Sequence, residues 1–330
     1  MNRMPAEWEP HAGTWMSWPP SNYIEGDPEE SDRARAAWAA VALAVSRFEP
    51  LTMLVDPADE QYARDALGDA VRILVTPLDD SWMRDNGPTF VRTDAGLAGV
   101  DWVFNGWGAQ RWAEWAKDAE VARFICADID VPAIASPMVN EGGGIHVNGA
   151  GTVLVTRTVQ LGEGRNPDWT QEQVEAELAR TLGVNRVIWI DRGLTRDYEQ
   201  FGTRGHIDIV ACFINEDTVL VHDQRNPKHP DYEVSRDVMK VMADAGLTVI
   251  PVPAPEVIRD EHDWVDYSYI NHYVCNGGVI LCAFDDPGDA HAREILAQAY
   301  PDREIVLVDA RSIFARGGGI HCITQQQPIA

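Results

Sequence analysis

Cys322 opens the case for chemistry. It follows three glycines and a histidine in GGGIHC, after an apolar, strand-like run. Glycines let a backbone turn sharply and approach a ligand closely. A free thiol is mostly protonated at neutral pH, and a cation held against it favours the nucleophilic thiolate. The other four cysteines read as packing residues. Cys212, Cys275 and Cys282 lie in apolar strand-like runs, and Cys126 ends a helical stretch.

Three further motifs supply polar groups. RGHID places His206 and Asp208 two residues apart, which on an extended backbone turns both side chains to one face. Histidine moves protons near neutral pH, and a fixed carboxylate can clamp a guanidinium through two hydrogen bonds. Taken alone, the pair is equally a surface His–Asp pair at the start of a strand. WMRDNGP sets Asp85 beside Arg84 before a Gly–Pro turn, where Arg84 could do no more than fix the loop. EGGGIH offers Glu141 as a further carboxylate at the mouth of a glycine turn, with His146 reading as structural. A metal would need another ligand. His11, His146, His222 and His321 stand at no persuasive ligand spacing, so no metal is expected. The glycine motifs lack both the lysine and the GxGxxG pattern of phosphate-cradling loops. One thiol, one imidazole and three carboxylates together suit a planar, cationic electrophile, and a guanidinium is all three.

These residues need a scaffold that gathers them. Asp27 as cap and Pro28 in the first turn announce a helix with Trp38, Val41, Ala42, Val45 and Phe48 on its apolar face. A strand over 51–55, a helix near 57–67 and a strand over 71–75 lead into DDSWMRDNGP. A helix near 111–125 and a strand near 131–135 lead into SPMVNEGGGIH. Thr170 and Gln173 form a capping box, Gly183 stops that helix, and a strand over 186–190 precedes RGHID. A helix carrying Val234, Val238, Val241 and Ala245 ends at Gly246 before a strand over 247–252. A helix over about 289–299 and a strand over 305–308 precede ARSIFARGGGIHC. GGGIH therefore occurs twice, at 142–146 and 317–321, each time after a helix and a strand. Such repetition predicts units that pack around a common axis, with their strand-end loops converging on one pocket.

Composition narrows the partners. The chain has 330 residues, 45% hydrophobic and 24% charged, enough for a sizeable core. Its 52 acidic against 27 basic residues give a net charge of -25. That field repels nucleic acid and anionic membranes and attracts a small cation, although acidity alone also serves solubility. Five cysteines without a CxxC pair make neither a disulfide framework nor a structural zinc site. No signal-peptide pattern opens the chain, and the apolar stretch 273–284 is too short to span a bilayer. A cytoplasmic protein is expected, and the base rate for soluble enzymes makes it a homodimer.

The motifs also carry a resemblance that runs nearly end to end. AEWEPHAGTWMSWP, SWMRDNGPTFV, EGGGIHVNGAGTVLVT, GRNPDWTQEQVE, GHID, DYSYINHYVCNGGVILCAF and GGGIHCITQQQP resemble the agmatine deiminases. These form part of the peptidylarginine-deiminase-like branch of the guanidino-group-modifying (pentein) superfamily. The resemblance implies an α/β fold, a pseudo-fivefold-symmetric propeller over 1–330 as one domain, with the site at its axis. It implies that Cys322 attacks the guanidinium carbon while Asp85 and Asp208 hold the guanidinium nitrogens. Glu141 would share that work and position His206, which would protonate departing ammonia and then activate water. Trp82 and Arg204 join the substrate-contacting candidates. Agmatine would give N-carbamoylputrescine and ammonia, on the route to putrescine, with no cofactor. Arg204, two residues before His206, could instead greet a carboxylate, so another guanidino compound is the alternative substrate. A non-catalytic binder would need no thiol. A papain-like amidase would place its cysteine at a helix N-terminus ahead of a His and an Asn.

Overall fold

A computed structural model describes residues 2–20, 27–259 and 264–330. Its strands are β1 (His11–Ser17), β2 (Leu51–Val55), β3 (Arg72–Val75), β4 (Thr89–Thr93), β5 (Gly96–Val103), β6 (Ala133–Val139), β7 (Ile145–Val147) and β8 (Thr152–Thr156). They continue as β9 (Arg186–Ile190), β10 (Ala211–Phe213), β11 (Thr218–Asp223), β12 (Thr248–Pro253), β13 (Tyr273–Cys275), β14 (Gly278–Ala283), β15 (Glu304–Asp309) and β16 (Gln325–Pro328). The longer helices are α1 (Pro28–Val45), α2 (Glu60–Leu67), α3 (Val121–Asp128), α4 (Gln171–Leu182), α5 (Asp231–Asp244) and α6 (Gly288–Ala299).

One construction recurs five times. An antiparallel pair is followed by a helix and then by a strand parallel to the second member of the pair. β4, β5, α3 and β6 form one unit, and β7, β8, α4 and β9 the next. β10, β11, α5 and β12 make another, as do β13, β14, α6 and β15. The fifth joins the two ends of the sequence. β16 runs antiparallel to β1, α1 leads to β2, and α2 adds β3 at the edge. Contacts of β7 with β10 and of β16 with β4 link neighbouring units. The result is the pseudo-fivefold α/β propeller that the resemblance implies, with its units set about a common axis as the repeated GGGIH predicts.

Each helix is seated by its apolar stripe. α1 buries Trp38, Val41, Ala42 and Val45 against β14 and β15, and the Asp27 carboxylate accepts from the Glu30 amide at 2.9 Å. α4 has both arms of the Thr170–Gln173 box, buries Val174, Leu178 and Leu182, and ends at a left-handed Gly183 with φ of 73°. α5 buries Val234, Val238 and Met242. These stripes cover one side of each small sheet, a helix-period pattern meeting a strand-period one.

The local expectations fail in four places. The segment 111–125 is not one helix: 111–117 are turns, and α3 begins only at Val121. Trp107 and Ala109 hold left-handed φ of 58° and 55°, and Trp112 stacks on Trp107 at 5.4 Å. Aromatic packing there overrides helical propensity. β6 begins at Ala133 and runs on to Val139, so the strand near 131–135 is shifted. RGHID is not extended: His206 caps a 3-10 turn over Ile207–Ile209. Cys322 does not follow a strand directly, because a short helix, Arg311–Phe314, intervenes and Cys322 lies in the 3-10 turn His321–Ile323.

These turns belong to a pattern. The first strand of each unit is entered through a tight turn at the inner end of the sheet. Met83–Asn86 precedes β4 and carries Asp85. Glu141 caps the turn Gly142–Gly144 before β7. Ile207–Ile209 precedes β10, the turn at 268–271 precedes β13, and His321–Ile323 precedes β16. Every unit thus delivers polar side chains to one axis.

Candidate active site

The five turns converge. Cys322 Sγ lies 3.4 Å from Asp208 Oδ2, and Asn271 Nδ2 lies 3.3 Å from the same sulfur. His206 Nδ1 faces Asp85 Oδ1 at 3.8 Å, and its Nε2 faces Glu141 Oε2 at 3.4 Å. All five sequence-predicted groups, Cys322, His206, Asp85, Asp208 and Glu141, are buried in this cluster. Two glycines make the approach possible. A Cβ at Gly143 would meet the His206 ring and lie 2.9 Å from Asp85 Oδ1, and one at Gly318 would lie 3.0 Å from Cys322 Sγ. Gly143 and Gly318 are the middle glycines of the two GGGIH copies, so the repeat serves the same end twice.

The charges decide what the site can hold. Burial, with the Asp208 and Asp85 carboxylates adding to it, pushes the Cys322 thiol well above its ordinary range. Cys322 rests as a thiol. Burial also raises Asp85, helped by the charges of Asp208 and Glu141 and opposed by His206 and Trp107, to about 6. Burial alone would lower His206, but Asp85, Glu141 and Asp208 outweigh it and hold the ring up at about 9. Glu141 and Asp208 both stay below the usual carboxylate range despite burial, the first through Arg165 and His206, the second through His321 and His206. Asp208 Oδ1 and His206 Nδ1 are buried with no hydrogen-bond partner. A buried carboxylate oxygen without a donor is costly, and a ligand N–H would satisfy it. A cation placed among three carboxylates would offset their repulsion and draw the thiol toward thiolate.

Aromatic rings wall the cavity at Cys322. Trp82, Trp107, Trp112 and Phe201 line it together with Asp85 and Thr203. Trp107 Nε1 donates to Asp85 Oδ2 at 2.9 Å. Trp82 thus lines the cavity itself. Arg204 lines an adjoining cleft of about 930 Å³ that shares Trp107 and Trp112 with the cavity. At φ of 73° Arg204 reaches the Tyr198 carbonyl and, at 3.1 Å, Gln110 Oε1.

A metal fits this region poorly. Among the described residues, Glu7, His146 and His321 bring potential ligand atoms within 4.8 Å of one another. Both ring nitrogens of His321 are already engaged by carboxylates, and the Arg84 guanidinium lies 3.6 Å from Glu7 Oε2. A second cation there would have to displace both.

The chain matches the family model for Porphyromonas-type peptidyl-arginine deiminase over residues 3–328. Agmatine deiminase of Pseudomonas aeruginosa is 40% identical over 99% of this chain and 95% of its own length. The chain belongs to the agmatine deiminase family. A Streptomyces coelicolor protein with a provisional agmatine deiminase name is 57% identical over 99% of this chain and 98% of its own. The solved agmatine deiminase of Enterococcus faecalis superposes with a TM-score of 0.92 at 33% identity, covering 99% of this chain and 96% of that one. No helix among the described residues is long and apolar enough to cross a membrane.

Within this agmatine deiminase family site, four contributors escaped sequence reasoning. Asn271 lies in the one entry turn without a glycine motif or a carboxylate, and only the register of the repeat points to it. Trp107 follows no motif. Arg165, in GRNPDW, donates through Nε to both Glu141 oxygens at 3.0 and 2.9 Å and through Nη2 to the Thr203 carbonyl. His321 was weighed only as a metal ligand. Arg165 carries a stability prediction: the Glu141–Arg165 pair is almost wholly buried. Arg165→Met removes the guanidinium, leaves Glu141 only the His206 ring at 3.4 Å, and is expected to cost about 3 kcal/mol in urea unfolding. A cost below about 1 kcal/mol, the level of an exposed pair, would contradict this.

Proposed function

We propose that this protein hydrolyses agmatine to N-carbamoylputrescine and ammonia. The observation that carries the reading is a buried thiol and an imidazole set among three carboxylates, one of which keeps an unsatisfied oxygen. Asp85 and Asp208 hold the guanidinium nitrogens, and Glu141 orients His206 and shares the charge. Neutralised by the substrate, the site lets Cys322 release its proton to solvent. Sγ then bonds to the guanidinium carbon. His206 protonates one nitrogen, which leaves as ammonia, and a thiouronium remains on Cys322. The ring, now neutral, takes a proton from water. The hydroxide adds to the same carbon, the carbon–sulfur bond breaks, and the ureido product gives up its hydroxyl proton, which returns the thiolate to the resting thiol. The proton that Cys322 released at the start leaves with the ammonia as ammonium, and no cofactor enters. The product places the enzyme in putrescine synthesis.

A second reading concerns the tail of the substrate. The cleft beside the site is lined by Arg111, Arg157, Arg165 and Arg204 against one acidic residue, Glu163. In a chain of net charge -25 such a concentration of arginine is anomalous. Arg111 has no hydrogen bond or ion pair to any described residue. This favours a guanidino compound bearing a carboxylate. Ammonia release from agmatine, arginine and 4-guanidinobutyrate separates the two. Agmatine is expected to give the highest kcat/KM. If either acid exceeds it, and Arg204→Ala removes the advantage, the second reading replaces the first.

A further inference from the structure

Behind the reacting groups lies a buried cluster that this chemistry leaves unused. His321 shares a turn with Cys322. Its Nδ1 lies 2.8 Å from Asp208 Oδ2, and its Nε2 lies 2.8 Å from Glu7 Oε2. A neutral imidazole has a single N–H and would turn its other lone pair against a carboxylate; only the imidazolium donates to both. Glu7 is pinned as an anion from two more directions. The Val274 amide donates to Oε1 at 2.8 Å, and the Arg84 guanidinium stands 3.6 Å from Oε2. Arg84 is held in turn by Gln326 Oε1 at 2.7 Å and the His321 carbonyl at 3.2 Å.

We propose that Glu7 and His321 form a positioning relay, a permanently charged imidazolium that keeps Asp208 ionised and aimed at Cys322. The proposal rests on the reading of Asp208 as a substrate-holding carboxylate. Asp85 and Asp208 form an internal comparison. Both are buried beside other anions, where like charges push a carboxyl group upward. Asp85 has no imidazolium within hydrogen-bond distance and is raised to about 6. Asp208, bonded to His321, is lowered. The groups that face His321 are Asp208, Glu7, Arg84, His146 and His272. Burial and Arg84 work against its charge, but the two carboxylates outweigh them. Burial keeps His146 and His272 neutral, at about 3 and 4, so neither competes for the proton. Asp208 is also faced by His206 and the Cys322 thiol. His206, which faces Asp85 and Glu141, loses its charge during turnover, whereas His321 does not. Neither Glu7 nor His321 touches the reacting atoms; both act through Asp208.

Nitrogen-15 spectra of histidine-labelled full-length protein at pH 8 test this without substrate. One imidazole, connected through bonds to the backbone of residue 321, is expected with both nitrogens protonated. Glu7→Gln keeps the shape and removes the anion. It is expected to leave that ring with one proton and to raise KM more than it lowers kcat. Glu7→Asp should restore part of the lost protonation. A neutral His321 in the wild-type spectrum overturns the relay, and so does a doubly protonated His321 or an unchanged KM in folded Glu7→Gln. If Glu7→Gln does not fold, the wild-type spectrum decides alone. Absence of ammonia release from every guanidino compound would sink the proposed reaction while leaving the spectrum of His321 to be read on its own.

Discussion

Cys322→Ser is expected to lower ammonia release by roughly 10^4-fold or more while the protein remains folded. The reasons are local. Sγ is surrounded by Asp208 and Asn271, not by a base that could deprotonate a hydroxyl. His206 is held as an imidazolium and is engaged toward Asp85 and Glu141, so it is not free to act as that base. The thiol can reach its anion once a cation neutralises the carboxylates, because its ordinary pKa is near 8.5; a serine hydroxyl is far less acidic. Serine nearly matches the volume of cysteine and can donate to the same Asp208 oxygen, so the 3% exposed position should not open the core. Ammonia assays paired with thermal unfolding check both halves. Activity within tenfold of wild type would remove Cys322 as the nucleophile.

His206→Asn should reduce turnover by roughly 10^2- to 10^4-fold, the range for loss of a general acid–base group. Its signature differs from that of the serine variant. Ammonia departure and hydrolysis both need the ring, but only the second leaves a covalent species behind. Intact-protein mass spectrometry after a single addition of agmatine should therefore find an adduct on Cys322 in the asparagine variant. Wild type should show it only transiently. No adduct alongside near-normal turnover would assign the proton transfers elsewhere. The pH dependence has a definite sign. His206 is held at about 9, above its ordinary 6.5, so the cation that protonates ammonia is present at neutral pH. Activity should fall as pH rises through about 9, and the asparagine variant should lose that limb. The same ion pairs stabilise the fold. Their contribution is complete below pH 6.5 and disappears as pH climbs through about 9.

Much of this site was legible before any coordinates. The two GGGIH copies located the repeat, and Cys322, His206, Asp85, Asp208 and Glu141 all reach the axis. Helices α1, α4, α5 and α6 lie close to where caps and apolar spacing put them. What resisted was tertiary. Trp107 and Trp112 read as ordinary aromatic residues until their stacking over Asp85 breaks the helix expected at 111–125. RGHID delivers its two side chains through a 3-10 turn, so the conclusion survived a wrong premise about extended backbone. The Arg165–Glu141 and His321–Glu7 pairs join residues 24 and 314 positions apart, and no local pattern encodes such distances.

The seam between β16 and β1 has a consequence for biosynthesis. The chain emerges from the ribosome N-terminus first, and its units can begin to organise in that order. Asp85, Glu141, His206 and Asp208 all precede position 209, whereas Cys322 comes three residues before the strand that pairs with Trp15 and Thr14. Until the last segment docks, with Gln325 and Gln326 on β1 and His321 on Asn271, the thiol has no fixed place in the site. The nascent polypeptide therefore carries the carboxylates and the imidazole of the site well before the thiol is set among them, and the full cluster is assembled in a late event.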